Sequence, residues 1–511
     1  MPERLSELWL AIDTVWVVVA AALVLFMQVG FALLEIGFTS AQNAGNVIMK
    51  KLVGLAITAL AFFAAGFAIA FGGGTRLFGD HGWFLRGDPF RSLAFSRTPI
   101  EAKFLFEMAV AAVAVSIVSG AMAGRTRFKA YLFVTLGVAV VVYPVVAHWV
   151  WADGWLRSIG FLDFAGSTVV HTVGGFTALV GAVMLGARLR PADESRSQRH
   201  QHVPHHQAIV LPALGVLVLW VGWYGFNSGS TLAAVPAIGR IALTTTLAAA
   251  AGGLAAMLTI WLVSGRPEVS MSANGVLAGL VAITAPCAYV EPWAAIVIGG
   301  VAGTVLVGSV QLLDRRIDDP AGAVSVHGTC GVVGTLMAGL LASPRLVAAE
   351  GIGRPGLLYG GGLRQLGVQA IGSLSAVAWI LISATVLLWL LKATVGLRVS
   401  RSEELLGLDV SQHGDVDTSR GGQADAAWEL AHAAGGPPPP PRVSVFDTPA
   451  ARRAGRAPPR QEPGRPGAPD RSWHAGSPAP RPRLGPPPPG WRLPREDEPP
   501  DQPPDQEAWR Q

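Results

Sequence analysis

Two ionisable residues, Asp163 and His171, bound the segment DFAGSTVVH, which continues directly into the apolar run TVGGFTALVGAVML. An apolar run of this kind can form part of a membrane-spanning helix. An ionisable side chain inside a membrane helix is costly unless it is paired or faces a cavity, so it marks a functional site by default. The rest of the chain should therefore supply a partner that compensates for the loss of water.

An internal repeat supplies this partner. VVHTVGGFTALVGAV around His171 and SVHGTCGVVGTLMAG around His327 both read Val-His, with a glycine four residues later at Gly175 and Gly331. The two segments lie five spans apart, in the fifth and tenth predicted spans, so their helices cross in opposite directions, as in an inverted-topology repeat. Such repeats place a shared site near the middle of the membrane, and glycine one turn from each histidine allows close approach. We therefore expect His171 and His327 to face each other.

Three kinds of site can use two histidines within a membrane. A metal site needs further ligands in helical register, and the spans offer only Glu35, Glu107 and His148, so we expect no metal. A bis-histidine haem is disfavoured because the core holds no second histidine pair, so we expect no cofactor. A conduction path fits better, because neutral imidazoles offer donors and acceptors to a small polar molecule while Val, Gly and Ala exclude hydrated ions. We expect a transport protein and not an enzyme.

Aromatic residues at the ends of two predicted spans favour a path for a cation. YPVVAHWVWADGW ends the fourth span and contains Trp149, Trp151 and Trp155. WYGFNSGS ends the sixth span on the same side and contains Phe226 and Ser230. Aromatic faces attract cations, and they hold them less tightly than carboxylates do. For Trp149 or Trp155 alone, the alternative is the aromatic belt that anchors membrane helices.

The elements that must position these residues are membrane-spanning helices. The 511 residues are 51% hydrophobic and 14% charged, with a mean hydropathy of +0.43, whereas soluble domains carry about 25% charged residues. We count about eleven apolar runs of ~20 residues, the length that crosses a hydrocarbon core. They begin near Ile12, Leu52, Phe104, Phe128, Thr168, Ala208, Ile241, Met271, Ala294, Ala321 and Leu366. The predicted fold is an all-α polytopic membrane protein.

An odd number of spans puts the two ends of the chain on opposite sides. Four short basic loops share one side, which the positive-inside rule assigns to the cytoplasm. They contain Lys50 and Lys51; Arg125, Arg127 and Lys129; Arg188, Arg190, Arg196 and Arg199; and Arg315 and Arg316. We expect a multi-pass protein of the plasma or inner membrane, with the N-terminus outside and the C-terminus in the cytoplasm. This asymmetry explains the net charge of +5 without a nucleic-acid partner.

Three regions follow along the chain. We predict a transmembrane domain at 1–400, a cytoplasmic C-terminal segment at 401–434, and a disordered Pro-rich tail at 435–511 with polyproline II character. The histidine-rich stretch RHQHVPHH is expected to be a hydrophilic connector and not a metal site. Both cysteines, Cys287 and Cys330, fall in predicted spans, where we expect them to pack without forming a disulfide.

Five segments resemble the ammonium transporter family (Amt/Mep/Rh), specifically its bacterial Amt branch. In order, they are FMQVGFALLEIGFTSAQNAGNVIMKK, DFAGSTVVH, WYGFNSGS, GLVAIT and SVHGTCGVVG, and the resemblance extends from Val15 to His413. It implies a homotrimer of eleven-helix subunits with a five-plus-five inverted repeat. Each subunit would have its own channel for ammonium or ammonia and would serve nitrogen uptake across the cell membrane.

The resemblance also implies roles for individual residues near the outer mouth. Trp151 and Ser230 would recruit ammonium through a cation–π contact and a hydrogen bond, and Asp163 would support that site from beneath. Thr168 and Thr284 match family positions near the path. The recruitment pair favours the Amt branch, because Rhesus-type gas channels generally lack it.

Deeper in the path, the resemblance implies a gate at Phe226 and the twin-histidine pair His171 and His327, which ammonia passes after ammonium is deprotonated. The family usually has FQxxFA in the third span, and this chain has FEMAVA, starting at Phe106. Val110 therefore replaces a gating phenylalanine, and Glu107 stands where glutamine is usual. These departures leave altered conductance or a non-transporting sensor as alternatives.

One further segment departs from the family pattern, and another resembles it. The usual Ala-Glu-Arg at the end of the third span is Ala123-Gly124-Arg125 here, which removes an acid expected to be structural. RSEELLGLDVSQHGD resembles the family's cytoplasmic tail, which packs under neighbouring subunits and couples to a PII signal-transduction protein. The alternative for this segment is a solvated amphipathic tail. The alternative for the whole protein is a receptor that binds ammonium and signals through the tail. The tail contains no recognisable kinase or cyclase domain, which favours transport.

Overall fold

The computed structural model describes residues 2–87, 90–189 and 205–414. Ten helices there are long and apolar enough to cross a membrane, and an eleventh apolar helix, α8, is shorter at 16 residues. In chain order they are α1 (Arg4–Gly37), α2 (Ala41–Phe71), α3 (Ile100–Met122), α4 (Phe128–Ser158), α5 (Ser167–Leu185), α6 (Ile209–Gly229), α7 (Ala237–Ser264), α8 (Val269–Thr284), α9 (Pro292–Leu313), α10 (Val324–Leu341) and α11 (Leu363–Thr394). The predicted all-helical, multi-span fold is confirmed.

Two predicted starts lie well inside the helices. The span of α1 already includes Arg4, well before the predicted start at Ile12, because charged residues such as Arg4 and Glu7 lower the hydropathy of its exposed first turns. α2 begins eleven residues before Leu52, because polar residues in its first turns, among them Asn46 and Lys50, are buried against the rest of the domain. Hydropathy reports the lipid-facing part of a helix better than its ends.

The helices divide into inner and outer ones by burial. Of the most apolar stretch of each helix, 89% of residues are buried in α3, 78% in α5 and 72% in α10, against 28% in α11 and 33% in α7. Exposed leucines such as Leu262 and Leu374 cover the outer helices. Apolar side chains are favoured there because lipid, and not water, is the surrounding medium. α3, α5 and α10 are therefore the elements that position an internal site.

Glycines bring α5 and α10 into backbone contact. A Cβ on Gly175 would lie 2.1 Å from the backbone nitrogen of Gly328, and one on Gly331 would lie 2.6 Å from the Ser167 carbonyl oxygen. No larger side chain fits at either position without moving the helices apart. This close crossing is the one that the repeated glycines predict.

Both helices start with a wide, π-helical turn. These turns comprise Ser167–Thr172 in α5 and Val324–Thr329 in α10, and each contains the histidine of its repeat. Wide turns inside α-helices often occur at functional sites, because they change the direction in which a side chain points. The two repeats therefore share a local backbone distortion as well as a motif.

The described part of the C-terminal segment forms two short helices, α12 (Arg401–Leu406) and α13 (Leu408–His413). The Asp409 carboxylate accepts hydrogen bonds from the backbone N–H groups of Gly45 and Asn46, at 2.9 and 2.6 Å, in the first turns of α2. Gln412 accepts one from the backbone of Phe128 at the start of α4, at 3.0 Å. This segment therefore packs against two helix ends of its own subunit.

The two cysteines differ in their position relative to the spans. Both cysteines are buried free thiols, as expected, but Cys287 lies in the turn after α8 and not in a span, because α8 ends at Thr284. The predicted tail at 435–511, the residues from 415 to 434 and the side chains of the histidine-rich connector lie outside the described residues.

Candidate functional site

The centre of the site is a pair of buried imidazoles. The Nδ1 atoms of His171 and His327 are 3.1 Å apart, and the ring planes are inclined by 22° with centroids 5.2 Å apart. One Nδ1 must donate and the other accept, so the two rings share one proton along this line. When both rings are neutral, the donor ring then has a bare Nε2 and the acceptor ring an Nε2–H. The pair thus offers one acceptor and one donor.

An aspartate fixes the start of each histidine-bearing helix. The Asp163 carboxylate accepts hydrogen bonds from three backbone N–H groups at 2.8–3.0 Å, those of Gly166, Thr168 and Val169. In the other repeat, Asp319 accepts bonds from Ala323 at 3.0 Å and Val324 at 2.7 Å. Carboxylates at helix N-termini satisfy the free N–H groups and favour the helix dipole. Each aspartate therefore orients the helix that carries its histidine.

Asp319 was not among the site residues predicted from the sequence. Its signal was available, since DFAGSTVVH and DPAGAVSVH both place an aspartate eight residues before the histidine and an Ala-Gly pair between them. Burial raises the pKa of both Asp163 and Asp319 to about 6, although the backbone N–H groups act in the opposite direction. Both carboxylates are therefore ionised at neutral pH and become protonated in mildly acidic solution.

Aromatic rings enclose His171. Trp223 stacks on its imidazole, with centroids 5.1 Å apart and planes 17° apart, and Phe226 lies 5.7 Å away. The Trp223 indole N–H donates to the Thr284 hydroxyl at 2.9 Å, so the predicted site residue Thr284 acts by holding this ring. Trp223 belongs to the WYGFNSGS segment, but its role depends on how α6 is rotated, which the sequence pattern does not show.

Trp151, near the end of α4, lies at the end of the site where α5 begins. Its indole N–H donates to the Asp163 carbonyl oxygen at 2.7 Å, and its ring is 3.1 Å from the place where a Cβ on Gly166 would stand. Gly166 has a φ of 110°, a conformation that favours glycine. The Trp151 ring also leaves too little room for a Cβ there, so the turn requires glycine for two reasons. With its N–H occupied and its side chain half-buried, Trp151 presents only its aromatic face.

Ser230 and Thr168 each form a hydrogen bond with a different partner. Ser230 is half-buried and donates its hydroxyl to the Phe226 carbonyl at 2.9 Å, which leaves its oxygen lone pairs available. No hydrogen bond or ring contact joins Ser230 to Trp151 within the described ranges. Thr168 and Thr335 share a 2.7 Å hydroxyl–hydroxyl bond, which ties α5 to α10. Thr168 therefore positions the helices, and its hydroxyl does not stand free in the path.

The third helix supplies the residues of the predicted gate. Phe106 lies against Gly229, where a Cβ would come within 2.5 Å of its ring, and is buried, as is Val110 one turn later on the same face. Glu107 is about 100° away around the helix. Its Oε2 is buried and has no hydrogen-bond partner among the described residues. The departure at Glu107 thus places a carboxyl group in apolar surroundings.

The comparison with known proteins decides the family. The profile of the Ammonium Transporter Family matches residues 15–418. The chain belongs to the ammonium transporter family.

Members of the family are similar to this chain over most of its length. It is 43% identical over 422 residues to the ammonium transporter Amt2 of Archaeoglobus fulgidus, which covers 80% of this chain and 88% of that protein. A solved sensor Amt protein superposes with a TM-score of 0.71 and 34% identity, over 80% of this chain and 99% of its own. The Mep2 structure of Candida albicans gives a TM-score of 0.71 at 30% identity, over 79% and 89%. The ammonium transporter fold is confirmed.

This member of the family replaces the expected acid at the end of α3 by backbone contacts. Arg125 is fully buried, and its guanidinium donates to the carbonyl oxygens of Ala121 at 2.9 Å and Asp318 at 2.7 Å. Burial lowers its pKa to about 10, so it stays charged at neutral pH. Gly124 has a φ of 74°, a conformation that favours glycine over glutamate. A glutamate at this position would therefore be strained in the turn that this chain forms.

Proposed function

We propose that the protein transports ammonium by recruiting it beside Trp151 and Ser230, removing its proton and conducting ammonia past His171 and His327. Membership of the ammonium transporter family supports the substrate. The observation that carries the route is the 3.1 Å contact between the two buried Nδ1 atoms. A buried pair with one free donor and one free acceptor matches a small neutral molecule that can both accept and donate.

Desolvation supports removal of the proton before the histidines. The pair is enclosed by Trp223 and Phe226, and a bare ion in such surroundings loses several kcal/mol of hydration. In the described part of the wall, no carboxylate contacts either imidazole to offset that loss. Ammonia carries no charge and avoids most of this cost. The pathway therefore selects for the neutral molecule at the histidine pair.

The Trp151 end provides what a cation needs. The indole face attracts ammonium by a cation–π contact, and the Ser230 oxygen can accept a hydrogen bond from it. Asp163 lies directly beneath Trp151 and supplies a negative potential, because its carboxylate is ionised at neutral pH. Ammonium is thus concentrated at the half-buried mouth, where water can accept its proton before the resulting ammonia enters the histidine pair.

We further propose that the Trp151 end faces outward and the ends bearing Lys50, Lys51 and Arg125 face the cytoplasm. The positive-inside rule supports this orientation. A homotrimer is supported by membership of the family. A PII signal-transduction protein would dock beside α12 and α13, which contact the cytoplasmic starts of α2 and α4.

Flux measurements in proteoliposomes test the proposal. An ammonium gradient imposed on vesicles containing the full chain should produce saturable uptake, followed through internal pH and current. His171→Ala and His327→Ala should abolish or alter that flux, whereas His81→Ala, at an exposed histidine, serves as the matched control. Flux no faster than in protein-free vesicles, or unchanged flux in both pore variants, would refute transport by this route.

The second candidate function is ammonium sensing. It is favoured by the likeness to the solved sensor Amt protein, which this chain matches over 99% of its length. Ammonium binding without ammonium flux in the same vesicles would favour the sensor. The two functions therefore give opposite results in one experiment.

A further inference from the structure

At the end of the pathway opposite Trp151, the ammonium group of Lys51 occupies a cation site. Its Nζ lies 2.8 Å from Glu35 Oε2 and 3.0 Å from the Ser116 carbonyl oxygen, and 5.7 Å from the centroid of the Phe31 ring. The Lys51 and Glu35 side chains are 5% and 2% exposed. A carboxylate, a carbonyl oxygen and an aromatic face are all groups that bind an ammonium ion.

This site adjoins the histidine pair. One small cavity is lined by Lys51, Glu35, Phe31 and His327, and the rings of Phe31 and His327 are 6.2 Å apart. Glu35 lies in the last turn of α1, Lys51 in the first half of α2 and Ser116 in the last two turns of α3. Because successive helices alternate in direction, these positions share one end of the domain, opposite the end of α4 that carries Trp151. A molecule that passes the histidines therefore arrives beside Lys51.

The carboxylate is fixed independently of the lysine. The Ser119 hydroxyl lies 2.8 Å from both Glu35 oxygens. A buried carboxylate is destabilising when its paired cation is removed. Lys51 is the only cation among the described residues in direct contact with Glu35, and the neighbouring Lys50 acts on it electrostatically without an ion-pair contact. Lys51 Nζ is an ammonium ion with one hydrogen replaced by an alkyl chain. Free ammonium can make the same three contacts.

We propose that Glu35, the Ser116 carbonyl and Phe31 form a second ammonium-binding site, which Lys51 fills as a tethered competitor. The place of this site on the transport route rests on the function proposed above. The binding of ammonium by these groups does not depend on that function. A tethered group competes at a high effective concentration, so Lys51 prevents ammonium from remaining bound to Glu35. Lys51 thereby prevents the transported ammonium from staying bound at the cytoplasmic end of the pathway.

Removal of the competitor tests the site. Lys51→Met keeps the length of the side chain and removes its charge. In the purified full-length protein, ammonium chloride should raise the unfolding temperature of Lys51→Met by about 1–3 °C more than that of the unsubstituted protein. Sodium chloride at equal ionic strength should not. The double variant Glu35→Gln/Lys51→Met retains the Trp151 site but should lose the additional rise.

Each outcome decides the proposal. Equal responses of Lys51→Met and the double variant would show that Glu35 binds no ammonium and that the ion pair is only structural. If Lys51→Met cannot be purified, its recovery in ammonium but not in sodium would support the site, and failure in both would overturn it. Absence of flux in the unsubstituted protein would refute transport without affecting this binding result.

Discussion

Trp151→Leu separates recruitment of ammonium from the rest of the pathway. Because the indole N–H already donates to the Asp163 carbonyl, the ring contributes to binding only through its face. A cation–π contact at a partly desolvated site is worth about 1–2 kcal/mol. Its loss corresponds to a roughly 5–30-fold rise in the apparent KM for ammonium. The maximal rate should change less, because His171 and His327 are untouched.

A conservative change at the same position gives the magnitude of the positioning effect. Trp151→Phe keeps an aromatic face but loses the 2.7 Å hydrogen bond to Asp163, which is worth about 1 kcal/mol. Its KM should therefore lie between those of the unsubstituted protein and Trp151→Leu.

The assay is ammonium uptake into proteoliposomes over a range of ammonium concentrations at constant ionic strength. Trp155→Leu is the matched control, because Trp155 packs on Trp149 with centroids 5.8 Å apart and belongs to the predicted aromatic belt. An unchanged KM in a fully expressed Trp151→Leu protein would remove Trp151 from the binding site. An equal rise in Trp155→Leu would attribute the effect to packing of the vestibule.

Three further predictions concern the gate, the pore and pH. Val110→Phe adds a ring to the buried face that carries Phe106, so the ratio of ammonium to methylammonium flux should rise; an unchanged ratio would exclude this position from the gate. His171→Asp puts a fixed negative charge in a narrow pore, so potassium currents should appear in planar bilayers where the parent protein gives none. Because the pKa of Asp163 is raised to about 6, acidification below pH 6 protonates its carboxylate and should raise the KM for ammonium. Asp163→Asn should abolish that pH dependence, and a KM that stays equally pH-dependent would contradict the assignment.

The sequence by itself determined the class of fold and the central pair of the site. Hydropathy is summed along the chain and needs no partner, so the spans were predictable to within a few residues, apart from the starts of α1 and α2. The repeated Val-His segments predicted that His171 and His327 meet, because inverted repeats bring equivalent positions to one axis. The repeated glycines predicted the close helix crossing for the same reason.

Only the tertiary structure decided what surrounds that pair. Trp223 stacks on His171, and Lys51 binds Glu35 from another helix, because of how the helices are rotated about their axes. Hydropathy does not fix this rotation in a buried helix such as α3, whose whole circumference is apolar or packed. The hydrogen bond from Trp151 to Asp163 likewise depends on a turn at Gly166 that closes only when α4 and α5 pack together. The sequence therefore determined which residues enter the membrane and which two histidines pair, whereas side-chain contacts between helices determined which residues surround that pair.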